Sequence, residues 1–97
     1  MKVLMVEDSD AVRRYMTEFL LGINNVECVY VAETLQEARD SVHRDRPDLV
    51  ILDVNLPDGN AIDVIGLFKQ TAPDMLIAMF TNDVSEFTKA SRCRLVF

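Results

Sequence analysis

The stretch that most constrains this chain is Leu49-Val50-Ile51-Leu52-Asp53, four apolar residues in a row closed by a carboxylate. Two of the four are β-branched and nothing polar alternates with them, which reads as a strand buried on both faces. The turn-forming Pro57-Asp58-Gly59 follows within a few residues. A strand covered on both faces belongs in a parallel sheet between helical layers, where ligands collect beyond the carboxyl ends of the strands. Asp53 falls at that edge if the rest of the chain alternates strand and helix.

The alternation is there. Lys2 to Val6 is a short apolar run that stops at Glu7-Asp8, after which Ser9 or Asp10 supplies a helix N-cap. The helix that follows places Val12, Met16, Phe19 and Leu20 on one stripe, with Arg13, Arg14 and Glu18 toward water, and stops at Gly22. A second strand runs from Val26 to Ala32, with Val26, Cys28, Tyr30 and Ala32 on one face. Thr34 and Glu37 form a capping-box pattern for a second helix, whose stripe is Leu35, Ala38 and Val42 and which ends before Pro47. After Asp58-Gly59 a third helix turns Ile62, Ile65 and Phe68 inward and Asp63 and Lys69 outward. Met75 to Phe80 is a fourth buried strand ending at Thr81, and a fourth helix begins at about Val84, with Val84, Phe87 and Ala90 on one face. Buried strands alternating with amphipathic helices predict right-handed βαβ units in a doubly wound α/β sheet.

Ninety-seven residues suffice for one core, so residues 1–97 read as a single domain. A net charge of −6 argues against direct nucleic-acid binding and against docking on an anionic membrane, since both need clustered Lys and Arg. No apolar run reaches the roughly 20 residues of a membrane span, and the N-terminus lacks a signal-peptide core. Cys28 and Cys93 have neither metal-ligand nor redox spacing and read as reduced thiols, which with the missing leader points to the cytoplasm. His43 reads as ordinary surface.

Four polar groups converge at the strand ends: Glu7 and Asp8 after the first strand, Asp53 after the third and Thr81 after the fourth. In a flavodoxin-like strand order, 2-1-3-4, the first and third strands are neighbours and their acids lie close together. Crowded carboxylates repel unless a cation shares them, and a hard divalent ion, Mg²⁺ above all, suits oxygen ligands. Mg²⁺ beside a nucleophilic carboxylate points to phosphoryl transfer through an aspartyl-phosphate.

Val6-Glu7-Asp8-Ser9, Ile51 through Gly59, and Met79-Phe80-Thr81 together resemble the receiver domain of two-component response regulators. The resemblance implies that Asp53 is the phospho-acceptor, supplied by a histidine kinase or histidine phosphotransfer protein. It implies that Asp8 and Asp53 ligate Mg²⁺, that Glu7 holds it through water, and that Asn55 adds its backbone carbonyl. Thr81 is then the switch hydroxyl, and Asn55 and Asp83 the two positions that tune dephosphorylation. Such a domain is modified on its own aspartate and is not an enzyme in the ordinary sense.

Receivers also have a fifth strand with an aromatic switch residue and a Lys, then a fifth helix. The resemblance runs out at about residue 92, before both, and Lys89 is at the wrong offset for that Lys. The expectation is therefore a receiver incomplete at its C-terminus, with an unprotected fourth strand that favours self-association or exchange of elements through the fourth strand and fourth helix. The alternative function is a degenerate or truncated receiver that serves as an interaction module without phosphorylation-coupled switching. A haloacid-dehalogenase-like phosphatase also uses a strand-end aspartate, but it needs a second Asp where Asn55 stands.

Overall fold

The computed structural model describes residues 1–53, 55–56, 58–60, 62–81 and 94–96. Strand β1 (Lys2–Val6) leads to helix α1 (Asp10–Leu21), β2 (Cys28–Ala32), α2 (Leu35–Asp45) and β3 (Leu49–Asp53). A two-stranded antiparallel ribbon, β4 (Asn55–Leu56) and β5 (Gly59–Asn60), precedes α3 (Ile62–Thr71), β6 (Leu76–Thr81) and β7 (Arg94–Val96). The main sheet has the order β2-β1-β3-β6-β7, and its first four strands are parallel. That is the expected 2-1-3-4 arrangement, with β6 as the fourth strand.

Helix boundaries follow from local chemistry. Ser9 Oγ accepts from the Val12 N–H and Thr34 Oγ1 from the Glu37 N–H, so each cap satisfies an amide that the first helical turn leaves unpaired. Alternate residues of the strands feed two cores. Leu4, Val6, Val50 and Leu52 meet Ala38 and Val42 of α2 and Val64 and Phe68 of α3 on one face. Val3, Met5, Ile51 and Ala78 meet Met16 and Leu20 of α1 on the other. The β3 run is apolar throughout because both of its faces are covered.

Several expectations need correcting. Phe19 is not on the buried stripe of α1 but 61% exposed, whereas Arg13, expected to face water, is only 14% exposed. In α3 Phe68 is buried and Ile65 half-buried as expected, but Val64, spaced i, i+4 from Phe68, is buried as well, and the Ile62 side chain lies outside what is described. Strand β2 starts at Cys28, and Val26, ahead of it, packs with the α1 core instead of sharing the face of Tyr30 and Ala32.

The fourth strand also has a partner. Among the described residues no fifth parallel strand appears, but β7 pairs antiparallel with Met79, Phe80 and Thr81. The open edge expected for β6 is thus confined to Leu76–Ala78 among the described residues, where Leu76 is 58% exposed. The expected fourth helix, with Val84, Phe87 and Ala90, lies outside the described residues, as do Asp83, Lys89 and Cys93.

The turn after β3 is braced from a distance. The Asp58 carboxylate accepts from the N–H groups of Leu35 (2.8 Å) and Gln36 (3.1 Å), the first two amides of α2. These bonds hold its pKa below the usual carboxylate value. Gly59 sits against the same helix start at φ 148°, and an added Cβ would come within 3.2 Å of Leu35 Cδ1. A group whose folded pKa is depressed stabilises above its unfolded pKa, and the contribution disappears as pH falls through the folded value. Asp58→Ala should therefore lower the melting temperature at neutral pH, with the gap to wild type closing as the pH is taken well below 4, as followed by circular dichroism.

Candidate functional site

Parallel pairing sets Val6 beside Leu52, so one residue further it brings Glu7 alongside Asp53. Both belong to the face of Met5 and Ile51, by the period of two along a strand. The strand continues in effect through Glu7, whose N–H donates to the Ala32 carbonyl at 2.9 Å. Asp8, one residue on and exposed, turns in from the start of the β1–α1 loop. One carboxylate oxygen from each of Glu7, Asp8 and Asp53 lies within 4.8 Å of the others. Three residues far apart in the chain are thus gathered at the carboxyl edge of the sheet.

Their burial is unequal, and that governs the electrostatics. Glu7 is 1% exposed and Asp53 5%, while Asp8 is open to solvent. Burial of its carboxyl pushes the Glu7 pKa up to about 8, helped by the Asp53 carboxyl against it and by the negative charge of Asp53 and Asp8. The Ser9 N–H, which donates to Glu7 Oε1 at 3.0 Å, acts in the opposite direction. Two facing carboxylates cannot bond each other unless one carries a proton. With both ionised, buried Glu7 Oε2 has no donor to accept from among the described residues.

That orphaned oxygen is the observation that fits a cation. A donor set made wholly of carboxylate oxygens, one of them buried and unsatisfied, has the composition of a divalent-cation site of the hard, oxygen-binding kind. Thr81 ends β6, one residue beyond Phe80, which pairs with Asp53. Its backbone is therefore at the same edge of the sheet. Asn55 lies two residues past Asp53, paired with Asn60 in the β4–β5 ribbon.

The family model for the response regulator receiver domain matches residues 3–94. The chain belongs to that family. Among curated relatives, this receiver is 34% identical over 85 residues to the DNA-binding transcriptional activator DevR/DosR of Mycobacterium tuberculosis, covering 88% of this chain and 39% of that protein. It is 43% identical over 68 residues to the KDP operon transcriptional regulatory protein KdpE of Escherichia coli, covering 70% of this chain and 29% of that one. The alignments thus span less than half the length of these two relatives. Among solved structures, the MaeR response regulator bound to beryllium trifluoride superposes with a TM-score of 0.78 at 28% identity, over 86% of this chain and 68% of that one. No helix among the receiver's described residues is long and apolar enough to cross a membrane.

One residue beside the site escaped the reading of the sequence. Its charge places Arg13 on the solvent face, yet it lies i−3 from Met16 and i−7 from Leu20, toward the buried side of α1. That spacing was the available signal. A charged residue on a buried stripe needs partners, and Arg13 finds them in the loop that carries the acids.

The raised Glu7 pKa has a thermodynamic consequence. Between its ordinary value of 4.5 and about 8 the folded state holds a proton that the unfolded chain has released. Metal-free stability should therefore be highest below pH 4.5 as far as this group is concerned, and should fall as pH rises toward 8. Mg²⁺ should raise the melting temperature most at the alkaline end, and Glu7→Gln should flatten the metal-free profile over the same window. Thermal melts at several pH values, with Mg²⁺ and with a chelator, read this directly. A metal-free profile identical in wild type and E7Q would contradict it.

Proposed function

We propose that this receiver accepts a phosphoryl group on Asp53 from a phosphohistidine of a histidine kinase or histidine phosphotransfer protein. The observation that carries the reading is the acid trio at the carboxyl edge of the sheet. An oxygen of the Asp53 carboxylate attacks phosphorus as the P–N bond to the donor imidazole breaks. The imidazole nitrogen keeps the bonding electron pair and takes up a proton, and an aspartyl-phosphate results. Such a transfer depends on positioning and on neutralising charge. Bound Mg²⁺, ligated by Asp8 and Asp53, by the Asn55 backbone carbonyl and by Glu7 through water, would supply that neutralisation at the phosphoryl oxygens.

The protein's own groups do the rest. Asp53, fixed at the end of a strand buried on both faces, presents its carboxylate with little freedom to turn away. Thr81, at the end of the neighbouring strand, is the hydroxyl that donates to a phosphoryl oxygen and couples acceptor to β6. The similarity to MaeR in its beryllium trifluoride complex supports this reading. The domain is modified on its own side chain and turns over no separate substrate pool beyond its own phosphorylation and dephosphorylation. A second copy of the chain pairing along Leu76–Ala78 of β6 is the partner reading that the short β7 leaves room for.

Incubation with Mg²⁺ and a small acyl phosphate donor, followed by intact mass measurement, tests the acceptor. Wild type should gain the mass of one phosphoryl group, and Asp53→Asn or a chelator should abolish the gain. Wild type that stays unmodified, or a mutant that is modified alike, would contradict it and leave an interaction module. Light scattering on the same samples should show concentration-dependent dimer, and a monomer at all concentrations would remove the β6 pairing.

A further inference from the structure

Arg13 makes four contacts from one guanidinium. Its Nη1 donates to the backbone carbonyls of both Glu7 and Asp8, each at 3.1 Å, and pairs with Glu33 Oε1 at 2.9 Å. Its Nη2 pairs with Asp10 Oδ1 at 3.1 Å. The next residue, Arg14, is 78% exposed and, among the described residues, reaches only Asp10 Oδ2, at 3.1 Å. Two consecutive carbonyls turned toward one nitrogen fix the two peptide planes that follow β1. Those planes set the directions in which the Glu7 and Asp8 side chains leave the backbone.

We propose that Arg13 is a positioning residue of the acid site: by fastening the Glu7 and Asp8 carbonyls and anchoring them to Glu33, it holds the two carboxylates where a cation can bridge them to Asp53. The inference rests on the metal-bearing reading above. The loop needs such a fastening because its other ties reach only parts of it. The Glu7 N–H is held by the Ala32 carbonyl and the Ser9 N–H by Glu7 Oε1. Among the described residues, the carbonyls of residues 7 and 8 are held by Arg13. Glu33, just past the end of β2, pairs with the same nitrogen that holds the two carbonyls, so the β1–α1 and β2–α2 loops are tied to one another. A planar guanidinium serves the carbonyls from Nη1 and Asp10 from Nη2, whereas an ammonium gathers its donors on one nitrogen and does not span both sets.

Groups that orient metal ligands change affinity by roughly 10–100-fold when removed. Calorimetric titration with Mg²⁺ alone, beside melting curves in chelator, separates positioning from general stability. Arg13→Ala should bind Mg²⁺ at least about tenfold more weakly than wild type while still folded, Arg13→Lys should recover only part of the loss, and Arg14→Ala should bind as wild type does. Wild-type affinity in R13A would overturn the inference. Should R13A not fold, wild-type affinity in R13K would do the same. Wild type that takes up no Mg²⁺ overturns the metal-bearing reading itself, an outcome distinct from equal binding by wild type and variant.

Discussion

Parallel pairing of β1 with β3 puts Val6 beside Leu52, and one residue further the same register forces Glu7 against Asp53. The register is fixed by burial: a slip of one residue would turn Val50 and Leu52 out of one core and Ile51 out of the other. The hydrophobic effect that assembles the sheet therefore also presses two carboxyls together where water is excluded. Left alone, that contact keeps a proton on Glu7 at neutral pH. Met by a divalent cation, the same contact becomes half of a binding site. The energetic tension at the sheet edge and the chemistry proposed for it are one feature.

The surrounding loops tie that edge to the rest of the fold. Arg13 fastens the backbone behind Glu7 and Asp8 and reaches across to Glu33. On the other side of Asp53, the β4–β5 ribbon is braced through Asp58 onto the first amides of α2. Both braces end at the junction of β2 with α2, from its two sides. Preorganisation of this kind is what phosphoryl transfer asks of a protein that contributes little covalent chemistry beyond its nucleophile.

Much of this was legible in the residues. Asp53 closing an apolar run and two acids after the first strand come together once the strand order is known, because parallel strands end at one edge, and the backbone of Thr81 ends at that edge too. The stripe Leu35, Ala38 and Val42 was read correctly because α2 is simply amphipathic over a broad face. The failures have physical causes. Phe19 is apolar but sits on the flank of α1, where helical spacing alone does not tell core from margin. In α3 most positions are apolar, so periodicity could not pick out Val64 as a partner of Phe68. Arg13 was misplaced because its charge outweighed its spacing. The β6–β7 pairing escaped because a three-residue strand carries almost no periodic signal.

The central claim is that a cation takes the place of a proton among Glu7, Asp8 and Asp53. Mg²⁺ titration at neutral pH, repeated in buffers of different ionisation enthalpy, counts the protons displaced. The account predicts a buffer-dependent heat corresponding to nearly one proton released per ion bound, shrinking at alkaline pH as Glu7 ionises unaided. Binding with a heat independent of buffer, or no binding at all, would contradict it.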